Sequence, residues 1–468
     1  MSDVLFIQPP YLQVPLDPLA NQTLDLLSSY AEKIGMFGLT RNDLTPPTAM
    51  LSIAQMVIDA GYRAAIADMY LEEIYKEDPW AFLRRELKKR DPMIVGVANA
   101  ENCIIEATVS VSKAVKEYNK EILVVSGGIN ATALDTRLLQ KYGSIDVVVR
   151  GEGEKSFSEL TEAFMKEKPF NGVQGITFRQ GGNIIRNPDR PFMKPEEIPL
   201  PARNIYPIKR LYAAGGDADM IFASRGCPFK CSFCNTPPIW QGCWTGRPVE
   251  NVIEEIKIMK EYGATKFHLW DQNFGGNQKW ASQICDRILE EGLDMTWETE
   301  IRIDSLNNDF VEKITKSGCN VAFVGIESNN QTILDSVNKK YNASIQEKAL
   351  RTAKEHSLFL EGGYVVGLPE DNKESIEATT KLALKYFKED LAVPLYFLFV
   401  PFPGTEIGDN PEKFRIKIED VGPENYHFIS PKPLASTKNL TAQEVFDLWR
   451  TGQEKILTET KNKLAEAG

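Results

Sequence analysis

Short apolar runs alternate with amphipathic stretches from the start of this chain, and their periods separate strands from helices. Val4–Ile7, Ala64–Ala67, Met93–Val97, Ile122–Ser126 and Asp146–Val149 have strand length and a nearly unbroken apolar character. Pro47–Ala60 and Ile105–Tyr118 between them carry helical spacing. Strand–helix units in this succession predict an open, doubly wound parallel sheet of the Rossmann-like type over residues 1–165, with its ligand beyond the C-terminal strand ends.

Residues 166–215 read differently. Gly175–Phe178, the turn Arg179-Gln180-Gly181-Gly182-Asn183 and Ile184–Arg186 predict a β-hairpin. Pro188, Pro191, Pro195, Pro199, Pro201 and Pro207 then suggest a stiff, extended linker. A second alternation follows, with strands at Met220–Ala223, Lys266–Trp270, Met295–Ile303, Asn320–Glu327, Leu360–Val366 and Pro394–Val400. The clearest helix between them puts Val249, Val252, Ile253, Ile256 and Met259 on one face, with Pro248 near its start and Gly263 near its end. These units predict a partial (β/α)6 TIM-type barrel over residues 216–410, with chemistry at the C-terminal strand ends. Residues 411–468 add an irregular Pro/Gly-rich stretch and a helix from about Thr441 to Ala465.

A length of 468 residues exceeds what one core supports, and 43% hydrophobic with 25% charged residues excludes long disorder. The net charge of −11 and the lack of a basic run argue against a nucleic-acid partner. No apolar run has bilayer-spanning length and no signal-peptide pattern opens the chain, so a soluble, cytoplasmic protein without a membrane partner is expected. Seven cysteines, three of them crowded between residues 227 and 234, suit a reducing compartment and a metal role better than a disulfide framework.

That crowded segment is Arg225-Gly226-Cys227-Pro228-Phe229-Lys230-Cys231-Ser232-Phe233-Cys234, directly after the first barrel strand. Three thiolates on one loop can hold three irons of a cubane cluster and leave the fourth open to a small molecule. A structural zinc site would need a fourth ligand; the nearest spare, Cys243, lies nine residues on. Cys103, Cys243, Cys285 and Cys319 suit the role of small buried hydrophobes. On the third barrel strand, Glu298, Glu300, Arg302 and Asp304 share one face and Trp297, Thr299, Ile301 and Ile303 the other. If the apolar set meets the helices, the charged set points into the lumen, as a ligand site or as a salt-bridge network shaping the barrel. His268, mid-strand, reads as a core or supporting histidine, and His356 and His427 have no motif around them.

The C-x3-C-x2-C loop resembles that of the radical S-adenosylmethionine (SAM) superfamily. The resemblance extends to Trp270-Asp271-Gln272-Asn273-Phe274, Gly325-Ile326-Glu327-Ser328, Gly363-Tyr364-Val365-Val366-Gly367-Leu368-Pro369 and Pro401-Phe402-Pro403-Gly404-Thr405. These look like segments of radical SAM proteins with an N-terminal cobalamin-binding domain. It implies that Cys227, Cys231 and Cys234 are the catalytic metal ligands of a 4Fe-4S cluster, and that SAM contacts Phe233, Gln272, Glu298, Arg302, Glu327 and Val400. Phe233 would lie near the adenine, the carboxylates would suit ribose hydroxyls, and Arg302 the SAM carboxylate.

The first half resembles the cobalamin domain of the same enzymes through Gln8-Pro9-Pro10, Gly127-Gly128-Ile129-Asn130-Ala131-Thr132 and the segment from Asp146 to Glu154. Asn99, Glu101, Asn102, Gly127, Gly128, Asn130, Gly151 and Glu152 are the implied cobalamin contacts. The first of the three histidines is His268, so residues 1–165 cannot offer cobalt an imidazole, unlike the Asp-x-His-x-x-Gly domains of methionine synthase type. The resemblance implies a methyltransferase that methylates an unactivated carbon through a 5′-deoxyadenosyl radical and methylcobalamin. The alternatives are a cobalamin-binding radical SAM cyclase, rearrangement or oxidation enzyme without methyl transfer, and a radical SAM enzyme with a vestigial, partner-binding first domain. An electron donor such as flavodoxin or ferredoxin is implied, and the substrate, small molecule or protein/peptide, stays open.

Overall fold

The protein is described from a computed structural model, over residues 2–10, 16–36, 45–99, 105–214, 218–419, 422, 426 and 428–466. It divides into two compact units, one formed by residues 1–14 and 44–216, the other by residues 15–43 and 217–468.

Seven strands form the sheet of the first unit: β1 (Val4–Gln8), β2 (Ala64–Asp68), β3 (Ile94–Ala98), β4 (Leu123–Gly127), β5 (Val147–Val149), β6 (Ile176–Gln180) and β7 (Asn183–Arg186). Their spatial order is β2-β1-β3-β4-β5-β6-β7, and the first five are parallel. The order reverses between β1 and β3, which opens a crevice at the carboxyl ends of those strands. Leu5, Ile7, Val95, Val97 and Val124 fill one face, while Phe6 turns to the other and meets Phe157 at 4.8 Å between ring centroids. Gly96 lies beneath these rings: a Cβ there would sit 2.9 Å from the Phe6 ring.

The hairpin is not part of a linker. β6 pairs antiparallel with β5 and extends the sheet, burying Ile176 and Phe178. The proline-rich stretch also packs: Met193, Ile198, Ala202, Tyr206 and Leu211 are buried, and the Tyr206 hydroxyl donates to Asp68 at 2.6 Å. Prolines set the backbone of this segment, but its spaced apolar residues give it a place on the core.

In the second unit, β8 (Ala218–Ile221), β11 (Lys266–Leu269), β12 (Thr296–Ile301), β13 (Cys319–Glu327), β14 (Phe359–Val366) and β15 (Val393–Leu398) form a six-stranded parallel sheet with the sequential order of a partial barrel. A small antiparallel pair, β9 (Ser224–Gly226) and β10 (Trp244–Gly246), brackets the cysteine loop. Trp297 is fully buried against Phe267 and Phe274, the outward set of β12 as its period requires. The helix Val249–Tyr262 ends at Gly263, whose φ of +103° suits its C-cap position.

Helix Pro18–Lys33 belongs to this second unit, although the strands on either side of it in sequence belong to the first. Its Tyr30 lies beneath Lys463 of the terminal helix Ala442–Glu466 (5.8 Å to the ring centroid), and Arg450 pairs with Asp17 at 3.3 Å. Trp449 and Gln453 of the terminal helix both donate to the Tyr396 carbonyl on β15, at 3.1 and 2.7 Å. Because β6 closes over buried apolar surface, Phe178→Ala should lower the stability of the first unit by about 3–5 kcal/mol in chemical denaturation, where a linker residue would give almost no change.

Candidate active site

The cysteine loop leaves the C-terminal end of β8 and is fastened from several sides. Asp271, just past β11, accepts the Ala223 and Ser224 amides at 2.9 Å each, and Gln272 accepts the Gly226 amide at 3.0 Å. Gly226 has φ +78°, and a Cβ there would lie 2.2 Å from the Cys243 carbonyl, so only glycine can lead into the loop. Beyond it, Ser232 donates its amide to Val337 and accepts that of Ile407, while Asn338 donates to the Lys230 carbonyl at 2.6 Å.

The thiols are enclosed. Burial pushes Cys234 up to about 11 and moves Cys227 upward as well, so water-exposed thiolate is not their resting form. Among the described residues no three His, Cys, Asp or Glu side chains converge as a single metal ion requires. A cubane asks for something else, one thiolate for each of three irons, and three cysteines on one fixed loop, Cys231 buried and Cys227 and Cys234 partly so, meet that demand.

The other residues expected at SAM lie at the same end of the barrel. Phe233 is partly buried against the cluster that includes Val365 and Phe399, and Val400 is buried just after β15. Arg302 follows β12, its guanidinium stacked on Phe229 at 3.7 Å. Its Nε and Nη2 donate to Asp304 at 3.0 and 2.9 Å, Nη2 also to the Lys339 carbonyl at 2.8 Å, and Nη1 lies 4.0 Å from Cys231 Sγ. Asp304 is thus not a lumen residue: β12 ends at Ile301, and a 3-10 turn carries Asp304 round to Arg302. Glu327 ends β13 with φ +59°, a left-handed conformation rare outside glycine, and pairs with Lys339 at 2.5 Å.

Deeper on β12, Glu298 is buried and lies 2.6 Å from His268 Nδ1. Burial drives its carboxyl up to about 8, and drives Glu300 and Asp271 to about 7. His268 also lies against the exposed Trp270 ring in a tilted arrangement, at 4.3 Å between centroids. The sequence did not single out Lys339: within Asn338-Lys339-Lys340-Tyr341 it reads as a surface lysine, and only the return of the chain beneath the cysteine loop buries it.

In the first unit, Asn99 directly follows β3 at the crevice. It is fully buried, and neither amide atom of its side chain has a hydrogen-bond partner among the described residues. Ser126 Oγ on β4 and Asn130 Nδ2 in the next helix are likewise buried without partners among the described residues. Polar atoms left this way are costly unless a ligand completes them. Gly128 (φ +121°) and Gly151 (φ +67°) take conformations that favour glycine at neighbouring strand ends. Gly127 does not depend on its lack of a side chain, since a Cβ would meet Val149 only at 3.6 Å. Glu152 accepts the Met193 amide at 2.6 Å and anchors the following segment. Glu101, Asn102 and Cys103 lie outside the described residues. The unpartnered amide and hydroxyl atoms of Asn99, Ser126 and Asn130 have the chemistry that a large polar cofactor such as cobalamin would satisfy; Ser126 was not evident from sequence because mid-strand serines are common in cores.

A fastened three-cysteine loop on a partial barrel, in a chain whose first unit is a doubly wound sheet, defines the radical SAM class with a corrinoid-type domain. A model of the radical SAM superfamily matches residues 221–383, and one of the B12 binding domain matches residues 36–161. An uncharacterized methyltransferase of Pyrococcus horikoshii is 32% identical over 364 residues, covering 77% of each chain. An anaerobic magnesium-protoporphyrin IX monomethyl ester cyclase of Cereibacter sphaeroides is 28% identical, covering 78% of this chain and 60% of its own. In fold, the chain is similar to the radical SAM methyltransferase TsrM from Kitasatospora setae, solved with cobalamin and a [4Fe-4S] cluster bound. The TM-score is 0.70 at 17% identity, over 97% of this chain and 89% of that one. The chain belongs to the cobalamin-dependent radical SAM methyltransferases, with a 4Fe-4S cluster, SAM and cobalamin as cofactors.

The Glu298 carboxyl makes a pH-dependent contribution of determinate sign. Near pH 4 it is protonated whether folded or unfolded; between there and pH 8 only the folded form keeps the proton, so rising pH favours unfolding. Glu298→Gln should therefore gain stability relative to the native protein as pH rises from 5 to 8, by at most about 1.4 kcal/mol per pH unit, and level off above. A difference in urea midpoint that stays flat across this range would contradict the burial argument.

Proposed function

We propose that this enzyme methylates an unactivated carbon of a small-molecule or peptide substrate, with the chain's residues divided between radical generation and methyl delivery. The observation that carries the proposal is that one chain holds both the fastened Cys227–Cys231–Cys234 loop in one unit and, in the other, buried polar atoms of Asn99, Ser126 and Asn130 without hydrogen-bond partners among the described residues. When bound, the cluster and SAM supply a 5′-deoxyadenosyl radical, and cobalamin supplies the methyl group.

The chain's own part is to hold and to exclude water. Cys227, Cys231 and Cys234 hold the cluster. Gln272 spends its side-chain oxygen on Gly226 and keeps its amide nitrogen for SAM. Phe233 and Val400 offer apolar surface for the adenine, Glu298 and Glu327 suit the ribose hydroxyls, and Arg302 keeps Nη1 for a carboxylate. In the first unit Asn99, Asn130 and Gly151 hold the corrinoid. No helix among the described residues is long and apolar enough to cross a membrane. Cysteine usage and the acidic charge support a cytoplasmic setting, a flavodoxin or ferredoxin as electron donor, and no nucleic-acid partner.

The resemblance to the cyclase supports a second reading, in which the radical oxidises or closes a ring and no methyl group moves. Product analysis separates the two: an added methyl group against an isomer or a dehydrogenated product.

Anaerobically reconstituted protein should hold about four irons and release 5′-deoxyadenosine from SAM on reduction. Cys231→Ala should abolish both, and full SAM cleavage by that variant would overturn the assignment. Asn99→Ala should weaken cobalamin retention roughly two- to tenfold, the value of about one hydrogen bond, with iron content unchanged.

A further inference from the structure

Two cations lie against the cysteine loop, and only one of them was expected there. Arg302 stacks on Phe229 and approaches Cys231 Sγ to 4.0 Å. Lys339 is buried, and its ammonium lies 5.8 Å from the ring centroid of Phe233, the loop's second aromatic. The two are joined, since Arg302 Nη2 donates to the Lys339 carbonyl at 2.8 Å. The Lys339 ammonium is fixed by Glu327 at 2.5 Å, and Gly325 makes room for the pair: a Cβ there would lie 2.5 Å from Glu327 Oε1 and 2.7 Å from Lys339 Nζ. Glu327 takes its left-handed backbone conformation at this point, beside a register shift in the β13–β14 ladder. A buried lysine and a strained glutamate in one pair is an expensive arrangement for mere packing.

We propose that Lys339 is a positioning residue for the redox step, a buried cation that eases reduction of the cluster held by the neighbouring cysteines, with Glu327 as the counter-charge that sets the size of the effect. The inference rests on the assignment of those cysteines as cluster ligands. In that step the cluster takes one electron from an external low-potential one-electron donor and gains one negative charge; no bond forms or breaks. A fixed positive charge at short range in a water-poor site favours the more negative state. Both Cys227 and Cys231 feel Lys339 and Arg302 electrostatically.

The test is a potentiometric titration of the reconstituted full chain without SAM, followed by paramagnetic resonance of the reduced cluster. Lys339→Met should lower the reduced-to-oxidised ratio at a fixed potential about tenfold, a shift of about 59 mV to more negative values for a one-electron couple. Lys339→Arg should stay close to the native value, and Glu327→Gln, which leaves the lysine uncompensated, should shift the potential in the opposite direction. A merely structural role gives no such pair of opposite signs. Unchanged potentials in both charge variants, or shifts of the same sign, would overturn the proposal. If Lys339→Met cannot hold four irons, Glu327→Gln decides alone: a rise supports the proposal and no rise overturns it. Native protein that binds no cluster would instead remove the assignment on which the proposal rests.

Discussion

The arrangement depends on two hydrogen bonds to one carboxylate. Asp271 receives the Ala223 and Ser224 amides at the point where β8 gives way to the cysteine loop, and it does so fully buried. Without it these amides would be unpaired at the end of a barrel strand, and the chain would have no fixed exit angle toward Gly226. Gly226, constrained by the Cys243 carbonyl, then directs the loop across the barrel mouth. There, backbone bonds to Val337 and from Ile407 hold Ser232, directly after Cys231. The three cysteines are consequently preorganised before any iron arrives, and burial makes Cys227 and Cys234 poor resting thiolates that a metal cluster can convert.

Around that loop the barrel confines its ionisable groups in pairs. Arg302 with Asp304, Lys339 with Glu327 and His268 with Glu298 each hold an ionisable group against a partner near the C-terminal or luminal side of the strands. Glu300 makes no hydrogen bond or ion pair among the described residues, and its carboxyl is driven upward by burial together with its acidic neighbours. A lumen of this kind is costly when empty and suits a ligand rich in hydroxyl and amino groups. The first unit follows the same rule with uncharged groups: among the described residues, the side chains of Asn99 after β3, Ser126 on β4 and Asn130 in the following helix leave amide and hydroxyl atoms unmet.

Much of this was legible in the sequence because local physics decides it. The strands of both sheets are short apolar runs, and the parallel order follows from the helices between them. The alternation on β12 correctly placed Trp297 outside and Glu298 inside, but it failed at Asp304, where a 3-10 turn breaks the period after Ile301. What could not be read depends on contacts distant in sequence. The hairpin Ile176–Arg186 was visible, yet nothing in it specifies pairing with β5. Residues 18–33 bear an apolar stripe, yet only the terminal helix and β15 determine which core it covers. Lys339 was concealed for the same reason, a charged residue in a polar stretch that becomes buried through Glu327, twelve positions earlier, and through Arg302.

Methyl transfer through cobalamin requires a methyl source, for which a further molecule of SAM would serve, and this can be tested before any substrate is known. Holoenzyme reduced in the presence of SAM bearing a deuterated methyl group should show that label on its bound cobalamin by mass spectrometry, alongside 5′-deoxyadenosine. Accumulation of 5′-deoxyadenosine while the cobalamin stays unlabelled would contradict the methyltransferase account and leave radical chemistry of the cyclase kind in its place.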